Sequence, residues 1–416
     1  MAFSNASFSE FYISVCAENQ IQINPHVLEV LDNTLLTGNV ILNLSGKKWQ
    51  RSVQKLNDMD AFALSKCLKN NKFFTSEQAD TGLDVSYNRI TDEGVKHFAD
   101  LLGVNSTLNS LDLRFNCFRA DGAQFLAKIL QGNRTLCRLR LSGNKIGDSG
   151  GMLLAMMLQI NNSLMELELS ACDLGIQSVI TFANVLKSNR SLRCVDFSRS
   201  LLNGHEEYWV VHISNMLVVN SSLLELHLGM TGMADTGMER LAEGLKLNHS
   251  LRYLDLQYNG VSCDGAYHLA NVLRKNPTLD VIDLSFNRLE DEGGIYLSKA
   301  LSSPGCSLRA LSVSSNNIRT DGLLALAQAV KVNPNQTQIN IWGNYLEEPV
   351  CQAFKELIYS GHLLREQTDV TAYEMNNQVC LAEICNGLKK LNYRINFCPY
   401  DTVATYFSIN FFKRLF

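Results

Sequence analysis

The sequence predicts an α/β solenoid in which strand–helix units stack one after another in chain order. Three observations support this prediction: a fixed spacing along the chain, a short alternation of leucines, and a helix-like pattern after it. The motif Leu-x-Leu-x-x-Asn recurs at 28-residue intervals, apart from one interval of 29 and one of 31. We call its last position the anchor, and the anchors are Asn88, Asn116, Asn144, Cys172, Ser200, Thr231, Asn259, Asn287, Asn316 and Asn344. A fixed period of this size is typical of stacked supersecondary units and not of a single central core.

Each repeat starts with a predicted strand and continues with a predicted helix. In residues 251–276, Leu254 and Leu256 alternate with polar residues before the anchor Asn259, which is typical of a short strand. Apolar residues at the spacing of one helix face follow, namely Ala266, Leu269, Ala270 and Leu273. Parallel strands lie about 4.8 Å apart, whereas helices are about 10 Å across. The strands should therefore line the concave side of an arc.

The turn between strand and helix also repeats. The sixth position after the anchor is glycine in seven of the ten repeats: Gly94, Gly122, Gly150, Gly237, Gly265, Gly293 and Gly322. An acid precedes each by one or two residues: Asp92 with Glu93, Asp121, Asp148, Asp235, Asp264, Asp291 with Glu292, and Asp321. We expect these acids to cap the helix N-termini, with Asp264, for example, offering the N-cap in residues 251–276.

Asparagine has two predicted roles in each repeat. The anchor amide supplies donors and an acceptor to the backbone of neighbouring turns, a role that Cys172, Ser200 and Thr231 fill only in part. A second row precedes the strands in Asn-x-Ser/Thr patterns: Asn105, Asn133, Asn161, Asn189, Asn220 and Asn248. We expect these to end the helices in the left-handed conformation and to be turn residues, not glycan sites.

The repeats divide the chain into four predicted segments. These are an N-terminal helical cap at 1–38, a degenerate first repeat with an insertion at 39–82, the repeats of 28–31 residues at 83–360, and a C-terminal cap at 361–416. The tail ATYFSINFFKRLF is apolar enough to shield the last open strand, as a solenoid requires. A helix that binds a membrane or a partner is the alternative for this tail.

Composition and charge narrow the class of protein. The chain has 37 basic and 41 acidic residues, and this near balance argues against binding to nucleic acid or to an anionic membrane. Glu10 and Glu18 stand where a signal peptide would be apolar, and the most apolar run, 152–158, is too short to span a membrane. We expect a soluble monomer in the cytoplasm, with a nuclear or nucleolar location left open.

Residues that could support chemistry predict no catalytic or metal site. Twelve cysteines are scattered without a CxxC pair, and Cys380 and Cys385 stand apart from other ligand types. His205 and His212 are seven residues apart, so they form no HExxH motif. We expect reduced thiols, and we expect Trp209 to be a core residue or a bump on the convex side. We also expect neither a metal nor a cofactor.

The chain resembles the ribonuclease-inhibitor-like class of leucine-rich repeat proteins over residues 83 to about 360. The phrases that carry the likeness are LDLRFNCFRADGAQFLAKILQGNRTL, LDLQYNGVSCDGAYHLANVLRKNPTL and IDLSFNRLEDEGGIYLSKAL. The resemblance implies a horseshoe-shaped solenoid with parallel strands on the concave face and helices on the convex face. It is specific for fold and weak for function, because the class is used for many partners. No P-loop of the GxxxxGK[S/T] type precedes the repeats, so we do not expect the ATPase of a NOD-like receptor.

Outward-pointing strand positions predict the binding surface. Six of the ten residues that stand four positions before an anchor are acidic: Asp84, Asp112, Glu168, Asp196, Asp255 and Asp283. Acids on adjacent strands repel each other, and a cationic ligand would relieve this repulsion. Aromatic residues beside the row could anchor a partner: Tyr87 and Phe115 near one end, and Tyr253, Tyr258, Phe286 and Trp342 near the other.

We therefore expect a non-enzymatic scaffold that holds a basic protein on its concave face. The residues expected to contact it are Asp84, Asp112, Glu168, Asp196, Tyr253, Asp255, Tyr258, Asp283, Phe286 and Trp342. The alternative is a small-GTPase regulator of the GTPase-activating type, acting through one edge of the arc. The resemblance extends to the Ran GTPase-activating protein, but its long acidic tail has no counterpart here, because residues 366–416 hold five acids and five bases.

Overall fold

The computed structural model describes residues 8–37, 41–47, 53–69, 81–202, 207–333, 335, 338–384, 386 and 388. The chain forms two compact units, Met1–Met233 with Arg240–Leu251 and Ala234–Glu239 with Arg252–Phe416. In each unit, short parallel strands alternate with helices in chain order. The α/β solenoid predicted from the period is confirmed.

The first unit begins with two helices, α1 (Phe8–Glu18) and α2 (Pro25–Thr37), ahead of the strand β1 (Ile41–Asn43). Its other strands are β2 (Gly82–Asp84), β3 (Ser110–Asp112), β4 (Arg138–Arg140), β5 (Glu166–Glu168), β6 (Cys194–Asp196) and β7 (Glu225–His227). Its other helices are α3 (Asp58–Lys69), α4 (Asp92–Leu102), α5 (Ala120–Leu130), α6 (Gly147–Met157), α7 (Ile176–Leu186) and α8 (Tyr208–Val219).

The helix α9 (Asp235–Leu247) contributes residues to both units. The second unit continues with the strands β8 (Tyr253–Asp255), β9 (Val281–Asp283), β10 (Ala310–Ser312) and β11 (Gln338–Asn340). Its helices are α10 (Cys263–Leu273), α11 (Glu290–Leu301), α12 (Thr320–Val332) and α13 (Glu348–Tyr359). A 3-10 turn (Arg365–Gln367) then leads into an antiparallel hairpin of β12 (Val370–Met375) and β13 (Gln378–Glu383).

The repeat strands pair at the same phase, so the register follows the period. Leu111 of β3, for example, lies opposite Leu139 of β4, and both are fully buried. The residues on either side of each central residue point away from the core, and we call the surface they form the strand face. In the first unit this face carries two rows from β2 to β7: Gly82, Ser110, Arg138, Glu166, Cys194 and Glu225, and Asp84, Asp112, Arg140, Glu168, Asp196 and His227.

The core lies between the strands and the helices. The helical residues predicted to be apolar in the repeat 251–276 are all buried on α10. Trp209 on α8 is 1% exposed and is therefore a core residue, whereas His205 lies outside the described residues. The ten described cysteines form no disulfide with one another, and five of them are buried. Within the described ranges, no helix is long and apolar enough to cross a membrane.

Anchor asparagines link neighbouring repeats, as predicted. The Asn116 amide donates to the carbonyl oxygens of Val85, one repeat earlier, and of Leu113, at 2.9 and 3.0 Å. Corresponding bonds are made by Asn88, Asn144, Asn287, Asn316 and Asn344. A hydroxyl has a single proton, and Ser200 and Thr231 each donate it to a carbonyl three residues earlier in their own repeat. These two anchors therefore lack the amide's second donor.

Four of the acids before the glycines cap helices, but each of these four caps the helix of the following repeat. Asp92, in the first turn of α4, accepts the N–H groups of Arg119 and Gly122 at the start of α5, both at 2.7 Å. The expectation that Asp264 is the N-cap of α10 is wrong, because Asp264 lies inside the helix and Ser262 is the cap. The same bonds to the following helix are made by Asp58, Asp148, Asp235 and Asp291.

The recurrent glycine leaves room for the carboxylate of the preceding repeat to approach the start of the helix. A Cβ at Gly122 would lie 2.8 Å from Oδ1 of Asp92 and 2.9 Å from the ring of Phe118. At Gly265 a Cβ would lie 2.6 Å from Oδ1 of Asp235. Both separations are shorter than any ordinary contact, so the glycines are required by the carboxylate of the preceding repeat.

The residue before each anchor adopts the left-handed backbone conformation. There φ is between +53° and +81° in all ten repeats, at Tyr87, Phe115, Gly143, Ala171, Arg199, Met230, Tyr258, Phe286, Ser315 and Gly343. The prediction of left-handed asparagines in the Asn-x-Ser/Thr patterns is wrong. Asn161, for example, accepts from the N–H groups of Ser163 and Leu164 and donates to Leu130 in the preceding repeat. The side chain itself stabilises the turn, so the backbone does not have to reverse its φ.

The described part of the C-terminal segment contacts the last repeat strand, β11. Thr368 pairs with β11 through an isolated bridge, and the Asp369 carboxylate accepts the N–H groups of Ile341 and Trp342 at 2.8 and 3.0 Å. These contacts satisfy backbone groups that the edge of a sheet would otherwise expose. The apolar tail predicted to do this, 404–416, lies outside the described residues.

Candidate partner-binding site

The strand register places the predicted acids of the first unit side by side. Asp84 lies opposite Asp112, and Glu168 lies opposite Asp196. Arg140 stands between the two pairs, opposite Asp112 on one side and Glu168 on the other. The acidic row is therefore interrupted in the middle by a cation.

Two arginines offset part of the negative charge in this row. Arg114 donates to both carboxylate oxygens of Asp112 at 2.5–3.0 Å and lies 3.6 Å from Glu168. Arg140 Nε lies 3.0 Å from Glu166 and 3.3 Å from Glu168. The side chains of all five residues are at most 26% exposed, so these pairs are screened less than surface ion pairs. These pairs relieve part of the repulsion expected from the sequence within the chain itself.

Burial dominates the electrostatics of Asp112. It raises the pKa of this carboxyl, and the Asp84 charge adds to the effect, whereas Arg114 opposes both. Asp112 and Glu168 are only 5% and 7% exposed, so they offer a partner little surface. Asp84 and Asp196 are half-buried and remain reachable.

In the second unit, the C-terminal segment covers part of the strand face. Leu388 packs into a buried cluster with Tyr253, Val281 and Ala310, which are outward positions of β8, β9 and β10. Tyr253 is 5% exposed and Asp255, on the same strand, is 4% exposed. These two predicted contact residues therefore have little surface left for a partner.

Tyr258 and Phe286, in the turns that follow β8 and β9, form a stacked aromatic pair. Their ring centroids are 4.1 Å apart and the planes are inclined by 6°. Phe286 is 39% exposed, and Tyr258 is half-buried. Asp283, on the strand that leads to Phe286, and Trp342 are also half-buried. Among the predicted contact residues of the second unit, these four keep accessible surface.

A similar pair stands in the first unit. Tyr87 stacks on Phe115 with centroids 4.5 Å apart, and Lys47 Nζ lies 4.4 Å from the centroid of the Tyr87 ring. A Cβ at Gly143 would lie 2.5 Å from the Phe115 ring, so glycine in the next repeat leaves room for that ring. Phe115 is 45% exposed. The aromatic pair and its cation hold each other in place.

A further cluster on the strand face was not foreseen from the sequence. Cys194 of β6 lies opposite Glu225 of β7, and His227 follows two residues later on the same side. The Cys194 Sγ lies 3.7 Å and the His227 Nε2 3.5 Å from Oε2 of Glu225. Burial raises the pKa of the Cys194 thiol to about 12, while the contact with His227 acts in the opposite direction. The signal for this cluster was available, since all three residues occupy outward positions in consecutive repeats.

The fold and the repeats define this chain as a leucine-rich repeat protein. A family model described as Leucine Rich repeat matches residues 81–99, 104–127, 132–155, 219–242, 247–270, 275–298 and 306–327. Leucine-rich repeat-containing protein 34 of Homo sapiens is 52% identical over 394 residues, which cover 93% of this chain and 84% of that protein. The chain belongs to the family of leucine-rich repeat-containing protein 34.

Further similar proteins include two relatives of the same name and two solved structures. The proteins of the same name from Mus musculus and Rattus norvegicus are each 44% identical over 199 residues, covering 48% of this chain and 48% of theirs. Among solved structures, an internalin from Listeria monocytogenes is 14% identical, with a TM-score of 0.42, over 82% of this chain and 94% of its own. Leiomodin-1 actin-binding site 2 is 21% identical, with a TM-score of 0.29, over 45% of this chain and 89% of its own.

Proposed function

We propose that the protein is a non-enzymatic, intracellular scaffold that binds a basic protein through the strand face of its second unit. The observation that carries this proposal is the stacked pair of Tyr258 and Phe286, with Phe286 39% exposed beside Asp283. Aromatic side chains next to charged groups are typical of interface hot spots. Leucine-rich repeats commonly present such surfaces to other proteins. The described cysteines form no disulfide with one another, which suits a reducing compartment.

The backbone under the aromatic pair supports a role in binding. Tyr258 and Phe286 have φ of +53° and +59°, the left-handed conformation of this repeat position, which holds glycine in two repeats and another residue in eight. A bulky residue there costs about 1–3 kcal/mol of backbone strain. Stacking of the two rings offsets only about 0.5–1.5 kcal/mol of this strain. The rings are therefore not explained by local stability alone, and a bound partner would use them.

The charge of the strand face in the second unit indicates which class of partner it would bind. The outward strand positions of the second unit carry the acids Asp255 and Asp283 and no lysine or arginine. Asp283 keeps accessible surface, whereas Asp112 and Glu168 in the middle of the first unit are buried. A basic partner would be steered towards the second unit, and its binding should weaken as salt is raised.

The test compares variants of the tagged full chain. Proteins captured from cell extract are identified by mass spectrometry, purified, and titrated against each variant. Phe286→Ala should weaken binding by about 1–3 kcal/mol if the ring is an anchor. Asp283→Lys should weaken it through lost charge complementarity, and the remaining binding should depend less on salt.

Matched controls lie away from the strand face. Tyr267→Ala removes a 48% exposed aromatic ring from α10, and Glu243→Lys reverses an exposed charge on α9. If these controls abolish binding while the Phe286 and Asp283 variants bind normally, the partner lies on the helices and the proposal is wrong. Accelerated GTP hydrolysis by a small-GTPase panel in the presence of the protein would favour the GTPase-regulator alternative instead.

A further inference from the structure

Three metal-ligating groups converge on the strand face of the first unit. The ligand atoms of Cys194, Glu225 and His227 all lie within 4.8 Å of one another. Glu225 and His227 are 7% and 3% exposed, and Cys194 is half-buried. The parallel register of β6 and β7 sets these positions, so no loop has to move to bring the ligands together.

We propose that Cys194, Glu225 and His227 form a binding site for one zinc ion. With bonds of about 2.3 Å to sulfur and about 2.0–2.1 Å to nitrogen or oxygen, a tetrahedral zinc holds neighbouring ligand atoms about 3.3–3.6 Å apart. The separations from the Glu225 Oε2, 3.7 Å to sulfur and 3.5 Å to nitrogen, are already close to these values. A small rotation of the Cys194 and His227 side chains would complete the set.

The donor types favour zinc over other ions. Magnesium and calcium require oxygen ligands, whereas a thiolate, an imidazole and a carboxylate together suit zinc. One thiolate and one carboxylate also balance the two positive charges of the ion. Three protein ligands leave the fourth position for water or for a side chain of a bound partner.

Comparison with a neighbouring strand shows what is unusual about Glu225. In the same row, Glu166 of β5 is balanced by the guanidinium of Arg140 at 3.0 Å. Glu225 instead faces a thiol and an imidazole, which can both become metal ligands.

The proposed ion would also join two repeats. Cys194 and Glu225 belong to the repeats anchored at Ser200 and Thr231, which are separated by the 31-residue interval. The hydroxyls of these anchors donate within their own repeats, and neither anchor has a side-chain amide to link the two repeats. A metal bridge between β6 and β7 would stabilise this junction.

The test uses the full chain, stripped of metal with a chelator and then titrated with cobalt(II) and with zinc. Cobalt should give a thiolate charge-transfer band in the near ultraviolet and the visible bands of a tetrahedral ion, and zinc should displace it at one ion per chain. Cys194→Ser, Glu225→Gln and His227→Gln should each weaken zinc binding by more than about 100-fold, since even second-shell changes cost about 10–100-fold. Zinc should raise the melting temperature of the wild type and not of these variants.

Other cysteines provide the controls. Cys117→Ser removes an exposed thiol and Cys137→Ser a half-buried one, and neither should change zinc binding. No cobalt charge-transfer band in the wild type would overturn the proposal. So would unchanged zinc affinity in Cys194→Ser, because the ion would then be held elsewhere. If His227→Gln fails to fold, Cys194→Ser, a change of one atom at a half-buried position, still decides the question.

Discussion

Replacing Asp92 by alanine should destabilise the helix α5 more than α4, although Asp92 lies in α4. Its Oδ1 accepts the N–H groups of Arg119 and Gly122, each at 2.7 Å, and both belong to the start of α5. Loss of an N-cap usually costs about 0.5–2 kcal/mol. Because one carboxylate oxygen serves two donors here, and one of these bonds is partly buried, we expect a loss near the upper end, about 2 kcal/mol.

Native-state hydrogen exchange measures this effect helix by helix. A loss of about 2 kcal/mol corresponds to roughly 30-fold faster exchange of the α5 amides through local opening. Asp92→Asn keeps an oxygen acceptor without the charge and should lose about half as much. Asp121→Ala is the matched control, since Asp121 lies in the first turn of α5 itself and should contribute about 0.3–1 kcal/mol through the helix dipole. Faster exchange in α4 than in α5 for Asp92→Ala, or an equal effect for Asp121→Ala, would refute capping across repeats.

Two further predictions concern stability. The repeats anchored at Cys172, Ser200 and Thr231 should exchange amide protons before their flanks in metal-free protein, and uniform protection along the first unit would contradict this. Burial raises the pKa of Asp369 above its unfolded value of about 3.9, so the folded state keeps a proton that the unfolded chain releases. This contribution to stability is present below the unfolded pKa and is lost as pH rises through the folded pKa. Urea unfolding at several pH values should therefore show a weaker pH dependence in Asp369→Asn, and an unchanged slope would exclude the effect.

Much of the fold could be predicted from the sequence because the same strand, helix and buried apolar positions recur in the repeats. In the repeat 251–276, the predicted strand and helix correspond to β8 and α10, and the predicted apolar helix residues are buried. The anchor amides also bond as expected, since the need to satisfy backbone groups at a buried turn is local. Periodicity and local chemistry were sufficient for these features.

The remaining features depend on which side chains meet across repeats. Asp92 lies in the first turn of α4, but its carboxylate reaches the start of the next helix, and only the inter-repeat spacing decides this. The burial of Tyr253 depends on Leu388, which is far away along the chain. Cys194 and His227 meet because the register is parallel, a relation that alignment of outward positions could have revealed. Contacts of this kind require the three-dimensional register and not the period alone.

Capping across repeats gives the solenoid a direction that matters during synthesis. Each capping carboxylate precedes its helix in the chain: Asp58 precedes the start of α4, and Asp92 precedes the start of α5. As the polypeptide leaves the ribosome from its N-terminus, the acceptor for the first amides of each new helix has already been made. A growing repeat can therefore form its helix on the repeat before it, without waiting for residues that are still to be translated.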